Sequence, residues 1–462
     1  MAKDLQTYLA IMAEKYPEEL ITVQDTIDQA QHEVSAYIEL LEDKRRFPIV
    51  LFEHVKNING EQSKFPLVHN LFATRSLCAR AIGLDPSNYR MALVKHFGAL
   101  QGKPIDYEVI RSAQAPVMEN TWTGEQADIT LLPAARYHEK DAGPYFVMAC
   151  LMKGKTENFY NVTLTKNMVQ GPRNMSVSAA GHHHLARIIA EYEASNEPAP
   201  IAVVLGHHPA FYLGSCALSP YGNDDYRTIG GYLGEPLRLA PSASLGDDFL
   251  IPADAEIVIE GLVPPGVRKE QNPFGEISGH YQELKMFPVV EVQAICYRDK
   301  AIMEGILPAH SEHCNLGGIP KEGSVFNAIR RVVPGVKGIS LPVSGKGRFS
   351  CYISLKKATY RDVQVAAMVA FSEMPNLKVA VVVDEDIDVF DETEVLWAAA
   401  TQVYWDRDLV VIPKVQSVRT WLGDAVAIID ATRPEDVKDF PERNRIPEDT
   451  LNRIKRMFEN LR

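Results

Sequence analysis

The feature that most constrains the fold is a change of texture partway along the chain. From about residue 115 to 305, short β-branched and aromatic runs follow one another, punctuated by Gly and Pro: YFVMACLMKG, NFYNVTLTKNMV, PIAVVLGHHPAFYLG, AEIVIEGLV and FPVVEVQAICYRD. Runs this short, separated by turn residues, predict a β-barrel or sandwich. Helix and strand signals alternate on either side of it. Upstream, Leu5, Leu9 and Met12 share a helical face, and TIDQAQHEVSAYIELLED continues the helical pattern. FPIVLFEHV (47–55) reads as a strand and NLFATRSLCARAIGL (70–84) as a helix closed by Gly83. Downstream, DVQVAAMVAFSEM reads as a helix and LKVAVVVDEDID as a buried parallel strand ending in acids. Asp391 and Glu394 form a capping box before VLWAAATQV. PEDTLNRIKRMFENL is an amphipathic helix with Leu451, Ile454 and Phe458 on one face, which predicts docking on a neighbour such as a partner subunit.

With 462 residues the chain is too long for one core and calls for two or three domains. Hydrophobic residues at 46% and charged residues at 23% describe a globular chain. A net charge of −12 argues against a nucleic-acid partner, because no basic stripe is available to neutralise phosphates. Lys44-Arg45-Arg46 reads as a solvated helix end. The six cysteines (78, 150, 216, 296, 314 and 351) form no CxxC pair, which predicts reduced thiols and a cytoplasmic protein. The N-terminal segment carries acids within its apolar periodicity and does not read as a signal peptide. No run of about 18 apolar residues predicts a membrane span.

Four stretches carry chemistry. In an extended Asn161–Lys166, Asn161, Thr163 and Thr165 share one face, and Val162, Leu164 and Lys166 the other. A polar face of this kind lines a ligand inside a barrel or meets solvent on an edge strand; the pattern leaves both open. Gly181-His182-His183-His184 opens a helix, so it suits a metal through one or two of its imidazoles, or a phosphate through free N–H groups. In GSCALSPYGNDDYRTIGGYLG, Gly214 and Ser215 permit close backbone approach, and Asp224 or Asp225 offers a carboxylate to K⁺, Mg²⁺ or Mn²⁺; the alternative is Asp225 as a helix N-cap. In PPGVRKEQNPFGEISGHY, Glu270 and Glu276 lie in a Gly- and Pro-rich loop, the usual setting of catalytic acids. Two motifs are set aside: GDD at Gly246 lacks the full thiamine diphosphate pattern, and SGKGRF (344–349) lacks the spacing and ending of a Walker loop.

Taken in order, these stretches resemble the UbiD family of prenylated-flavin-dependent (de)carboxylases over nearly the whole chain. Asn161 on a strand is followed 23 residues later by His184 opening a helix; Gly214 to Asp225 and the PFGE ending at Glu276 come next. SEHCNLGGIPKEGSV, VVVDEDIDVFDETEVLWAAATQV and IIDATRP complete the series, and the C-terminal half looks closest to the gallate and protocatechuate decarboxylases. The resemblance implies an N-terminal α/β domain (1–112), a central split β-barrel of flavin-reductase type (113–305) and a C-terminal α/β domain (306–445). A terminal helix (446–462) would cross to a dimer partner.

The resemblance further implies a reversible decarboxylation of an aromatic or heteroaromatic acid of furan-2,5-dicarboxylate, pyrrole, indole or hydroxybenzoate type. Breaking a C–COO⁻ bond needs an electron sink that no side chain provides, so the chemistry rests on a cofactor. That cofactor would be prenylated FMN, provided by a flavin prenyltransferase. Its phosphate would be held through Mn²⁺ or another divalent ion on Asn161, His184 and Asp225, where Asp replaces the usual Glu. K⁺ would sit on the carbonyls of Val162, Gly214, Ser215 and Ala217. Cofactor contacts would come from Thr163, Leu164, Thr165, Lys166 and His183, and from Ser215, Cys216 and Ala217. Glu276 would protonate the carbon after CO₂ leaves. The family's Arg–Glu pair is replaced by Lys166 and Gln271, with Glu270 one residue away and able to join through a backbone shift; Lys lacks the bidentate fork of Arg. Val426 stands where many relatives carry Lys. His313 and Lys321 fall at substrate-facing positions, Lys321 either holding a second carboxylate or lying on the surface. Two rival readings stand beside this one: a split-barrel FMN reductase, and a non-catalytic cofactor-carrying subunit of a carboxylase.

Overall fold

Short strands buried along nearly their whole length, closed on one another, account for the centre of the molecule. In the computed structural model, which describes residues 3–179, 181, 183–271, 273–415, 420–434 and 437–459, six antiparallel strands form a closed barrel. Its order is Ile257–Val263, Ala199–Val204, Tyr145–Lys153, Tyr160–Gly171, Asn174–Val177 and Lys285–Tyr297, the last returning to pair with the first. Closure removes the unpaired edges that an open sheet would expose. A bulge between Glu260 and Gly261 bends the Ile257–Val263 strand where it meets Lys285–Tyr297.

The N-terminal helix Leu5–Lys15 is capped by Asp4, whose side chain accepts from Thr7 N at 2.7 Å, and buries Leu5, Leu9 and Met12 as their spacing predicts. The strand expected in 47–55 spans Ile49–Phe52. It lies between Leu20–Val23, in parallel, and Leu67–His69, antiparallel. This sheet is completed by Met303–Glu304, from the far side of the barrel. The helix read over 70–84 is shorter, Arg75–Ala81, because Asn70 takes a left-handed backbone (φ 68°) and Thr74 supplies the N-cap. Gly83, at φ 74°, ends it as expected, with Leu84 N donating to Ala79 O at 2.9 Å.

The C-terminal sheet runs Val336–Ser340, Ser350–Leu355, Val379–Asp384, Val426–Ala431 and Leu409–Ile412. Val379–Asp384 sits in its middle with parallel neighbours on both sides, which is why it reads as continuously apolar. Arg361–Glu373 packs on one face and Glu392–Gln402 on the other. The capping box at that last helix is only half formed: Asp391 accepts from Thr393 N, whereas Glu394 turns to Asp388 N. A buried 22-residue helix, Ser311–Val332, meets the N-terminal domain through a bidentate Arg75–Glu322 pair at 2.7 and 2.8 Å.

The terminal helix spans Glu448–Glu459, and its Leu451 and Phe458 are 50% and 66% exposed. All six cysteines are free thiols, and among the described residues no helix is long and apolar enough to cross a membrane.

Candidate active site

The strand Tyr160–Gly171 pairs along its length with Tyr145–Lys153, but with Asn174–Val177 only from Asn167 onward. Residues 161–166 therefore have a second edge with no strand against it. Antiparallel geometry turns the backbone groups of alternate residues to that edge. Val162 N uses it to donate to Asp225 Oδ2 at 2.9 Å, and Lys166 O accepts there from Ser178 N at 3.0 Å. By the same alternation the N–H and C=O of Leu164 face this edge.

Two consecutive acids divide the next task between them. Asp224 is the N-cap of the helix Asp225–Leu233, accepting from Tyr226 N at 2.9 Å and Arg227 N at 3.4 Å. The capping role considered for Asp225 thus falls to its neighbour. Asp225 turns away, and its Oδ2 also accepts from Asn161 Nδ2 at 2.8 Å. Burial pushes the Asp225 carboxyl up to about 7, against the lowering effect of the Val162 N–H and the Asn161 amide. Thr163 Oγ1 donates to Asn161 Oδ1 at 2.9 Å, leaving that oxygen a further lone pair.

His184 opens the helix His184–Ala194 with its ring edge-on to Tyr221, and burial pulls its pKa below the ordinary value, so it is a neutral nitrogen donor. His183 stands at the N-cap position, and His182 lies outside the described residues. Of the three donors, only Asn161 and Asp225 are in direct contact; amide oxygen, imidazole and carboxylate are donor types that suit Mn²⁺ or Mg²⁺ rather than a thiolate-preferring ion. A buried carboxylate this reluctant to ionise fits the need for a cation beside it. Among the described residues no cluster of three His, Cys, Asp or Glu offers an alternative metal site.

The expected K⁺ ligands lie mainly where the helix Pro209–Ser215 ends, and Gly214 O there already accepts from Ala217 N at 3.2 Å. Gly214 is a packing glycine rather than a point of close ligand approach. A Cβ there would come within 2.9 Å of Ile229 Cα, so the glycine serves contact between this helix and Asp225–Leu233.

A cavity of about 930 Å³ runs along the free edge, within the size range of cofactor sites. Thr163, Leu164, Thr165, Lys166 and His183 line it, as do Glu276 and His313. Asn161, His184 and Asp225 lie off its wall, and so do Ser215, Cys216 and Ala217. Lys166 Nζ donates to the Glu276 carboxylate and, at 3.1 Å, to Gln282 Oε1; it sits 5.2 Å from the centre of the Phe274 ring. Glu276 is only 8% exposed.

Glu270 does not join this pair. On the strand Arg268–Gln271 it is exposed, whereas Gln271 is fully buried and accepts from Ser176 Oγ at 2.8 Å. Successive strand residues face opposite ways, and the register Glu270↔Met286, Gln271↔Lys285 blocks the one-residue shift that would exchange them.

Lys321 is half-buried and lies off the cavity wall. Withdrawal from water, then the nearby Arg348 guanidinium, push it down to about 8. Arg348 itself lines the cavity. It lies across Gly317, where any Cβ would overlap the guanidinium. Sequence reasoning passed over Arg348 with the rejected SGKGRF motif. The available signal was Gly317, a glycine inside a helix where a packing reason is the usual explanation.

These features describe a flavin-sized cavity with a Lys–Glu pair on its wall and a buried Asn161–Asp225 pair behind it, on a barrel between two α/β domains. The chain matches the N-terminal, Rift-related and C-terminal domains of the 3-octaprenyl-4-hydroxybenzoate carboxy-lyases over residues 11–96, 108–311 and 314–420. It belongs to that family, the UbiD carboxy-lyases, as its motifs imply. It is 32% identical to the anhydromevalonate phosphate decarboxylase of Aeropyrum pernix over 393 residues, covering 83% of this chain and 85% of the other. It is 26% identical to the gallate decarboxylase of Lactiplantibacillus plantarum over 435 residues, covering 86% of each. Among solved structures, an evolved dimeric form of the UbiD-class enzyme HmfF from Pelotomaculum thermopropionicum, in complex with prenylated FMN, superposes with a TM-score of 0.86 at 30% identity, covering 97% of this chain and 98% of that one.

Proposed function

We propose that the chain is a prenylated-FMN-dependent decarboxylase of an aromatic or heteroaromatic acid, with Glu276 as the proton donor to carbon. The observation that carries this reading is the Lys166–Glu276 pair on the wall of the cavity that the free strand edge borders. Prenylated FMN would supply the electron sink for the bond to CO₂. Thr163, Leu164 and Thr165 would hold it along the strand, and His183 from the helix side. Asn161, His184 and Asp225 would take a divalent ion at its phosphate, and the carbonyls of Val162, Gly214, Ser215 and Ala217 would take K⁺.

The chain's own part is proton handling and orientation. Glu276 must deliver one proton to a carbon and recover it from solvent each turnover. Lys166 fixes the carboxylate with a charged contact, and the Gln282 amide fixes Lys166 in turn. Gln271 at the position of the family's second acid puts a neutral amide where that carboxylate would stand.

Arg348 and His313 on the wall, with Lys321 behind, favour a substrate with a second anionic group. A dicarboxylate such as furan-2,5-dicarboxylate fits. Because a relative acts on anhydromevalonate phosphate, a phosphorylated acid is the second reading that this cationic end supports. The chain would act as a homodimer through its terminal helix, since covering side chains such as Leu451 and Phe458 is worth about 1.5–3 kcal/mol each.

The test is a panel of 3,4-dihydroxybenzoate, gallate, furan-2,5-dicarboxylate and anhydromevalonate phosphate, with CO₂ detection, on protein co-expressed with a flavin prenyltransferase. Plain FMN with NAD(P)H oxidation would favour a flavin reductase. Bound cofactor with no CO₂ exchange, and an E276Q variant indistinguishable from the parent, would favour a non-catalytic subunit.

A further inference from the structure

The carboxylate of Asp141 is fully buried. Its Oδ2 accepts from Tyr137 N at 3.1 Å and His138 N at 2.9 Å, and its Oδ1 accepts from Gly275 N at 2.8 Å. Three N–H donors satisfy a buried carboxylate through the backbone. Two belong to its own loop. The third belongs to the residue immediately before Glu276.

Other contacts run between the same two segments. Ala142 N donates to Pro273 O at 2.9 Å, and Lys140 N to Tyr281 Oη at 3.2 Å. The Tyr145 ring lies 4.5 Å from Phe274. The hairpin of Phe274–Gly275 with Tyr281–Gln282 is thus gripped on both its strands. A Cβ at Gly275 would overlap the His138 ring where it now stands, so glycine lets the hairpin seat closely against this loop. On the opposite side, Lys166 holds Glu276 and Gln282.

We propose that Asp141 is a positioning residue: it fixes the backbone of the 273–276 turn, so that Glu276 stands at one height above the cavity while Lys166 fixes its carboxylate. This rests on the reading of Glu276 as proton donor. Catalysis of this kind is steep in distance, and a misplacement of about 1 Å loses roughly 100-fold in rate.

Asp141→Asn tests it. The amide has one oxygen, so an NH₂ must confront either Gly275 N–H or the Tyr137 and His138 N–H groups. Two measurements on the holoenzyme decide. In hydrogen–deuterium exchange, the peptide covering 273–282 should exchange at least 10-fold faster, while a barrel peptide covering 145–153 is unchanged. With furan-2,5-dicarboxylate or 3,4-dihydroxybenzoate, whichever the parent turns over, kcat should fall 10- to 100-fold and KM should stay within threefold. Gly275→Ala, which sets a methyl against the His138 ring of the same loop, should reproduce both effects.

Unchanged exchange at 273–282 would overturn the tie itself. Faster exchange with unaltered kcat, or a loss confined to KM, would overturn the positioning role. If Asp141→Asn does not fold, Gly275→Ala decides by the same two measurements. A silent Glu276→Gln would instead sink the reading of Glu276 and leave the exchange result to judge the tie.

Discussion

Substituting Asp225 by Asn separates a carboxylate that waits for a cation from one that merely packs. The buried carboxyl titrates at about 7 against 3.8 for the ordinary group. Between these values it is protonated when folded and ionised when unfolded, so unfolding releases a proton and stability falls as pH rises. The gap of about three pH units corresponds to roughly 4 kcal/mol, lost between about pH 4 and 7 and constant above. Asn is isosteric, and one oxygen still accepts from Asn161 Nδ2 and Val162 N as Oδ2 does now.

In chelator, the variant should match the parent near pH 4 and exceed it at pH 7 to 8, with a shallower decline in melting temperature between. Added Mn²⁺ should close most of that difference, because a cation demands the ionised carboxylate. Mn²⁺ at 100 times its Kd would stabilise the parent by about 2.7 kcal/mol, with little effect on the variant. The assay is thermal denaturation by circular dichroism from pH 4.5 to 8, with and without Mn²⁺. Parallel curves for parent and variant in chelator would refute the burial argument. Equal stabilisation by Mn²⁺ would refute Asp225 as a ligand.

Glu276→Gln should lower kcat by about 10²- to 10⁴-fold, the usual contribution of a positioned proton donor, while cofactor binding measured by absorbance persists. Lys166→Ala should approach that loss, and Lys166→Arg should retain more activity than Ala, read by CO₂ release. Arg348→Ala should raise KM for a diacid or phosphorylated acid by at least about 10-fold, equivalent to one hydrogen bond to a charged group, while leaving a monoacid unaffected. Arg75→Ala leaves the buried Glu322 with Leu341 N–H alone and should destabilise the chain by about 3–5 kcal/mol in denaturant titration.

What the sequence made legible was local or ordered. Short β-rich runs punctuated by Gly and Pro located the barrel strands, and the order of motifs brought Asn161 to Asp225 across 64 residues. The misses share a physical cause. Asp224 and Asp225 are both plausible caps by composition, and only the extended backbone of Asp224 (φ −80°, ψ 111°) separates them. Glu270 and Gln271 differ by one step on a strand whose facing is set by its partner Lys285–Tyr297, a register invisible in a single sequence. Arg348 and Asp141 act through contacts made at long range, with Gly317 and Gly275 as their faint traces. The helix expected from residue 70 starts at Arg75 because a left-handed Asn70 interrupts an otherwise helical apolar pattern.

The central claim is tested most directly by the cofactor. The full chain, co-expressed with a flavin prenyltransferase, is purified and its released cofactor weighed by mass spectrometry while acid-dependent CO₂ release is recorded. The account predicts the mass of prenylated FMN, with CO₂ release that Glu276→Gln abolishes. Plain FMN alone, or no flavin at all, would contradict it.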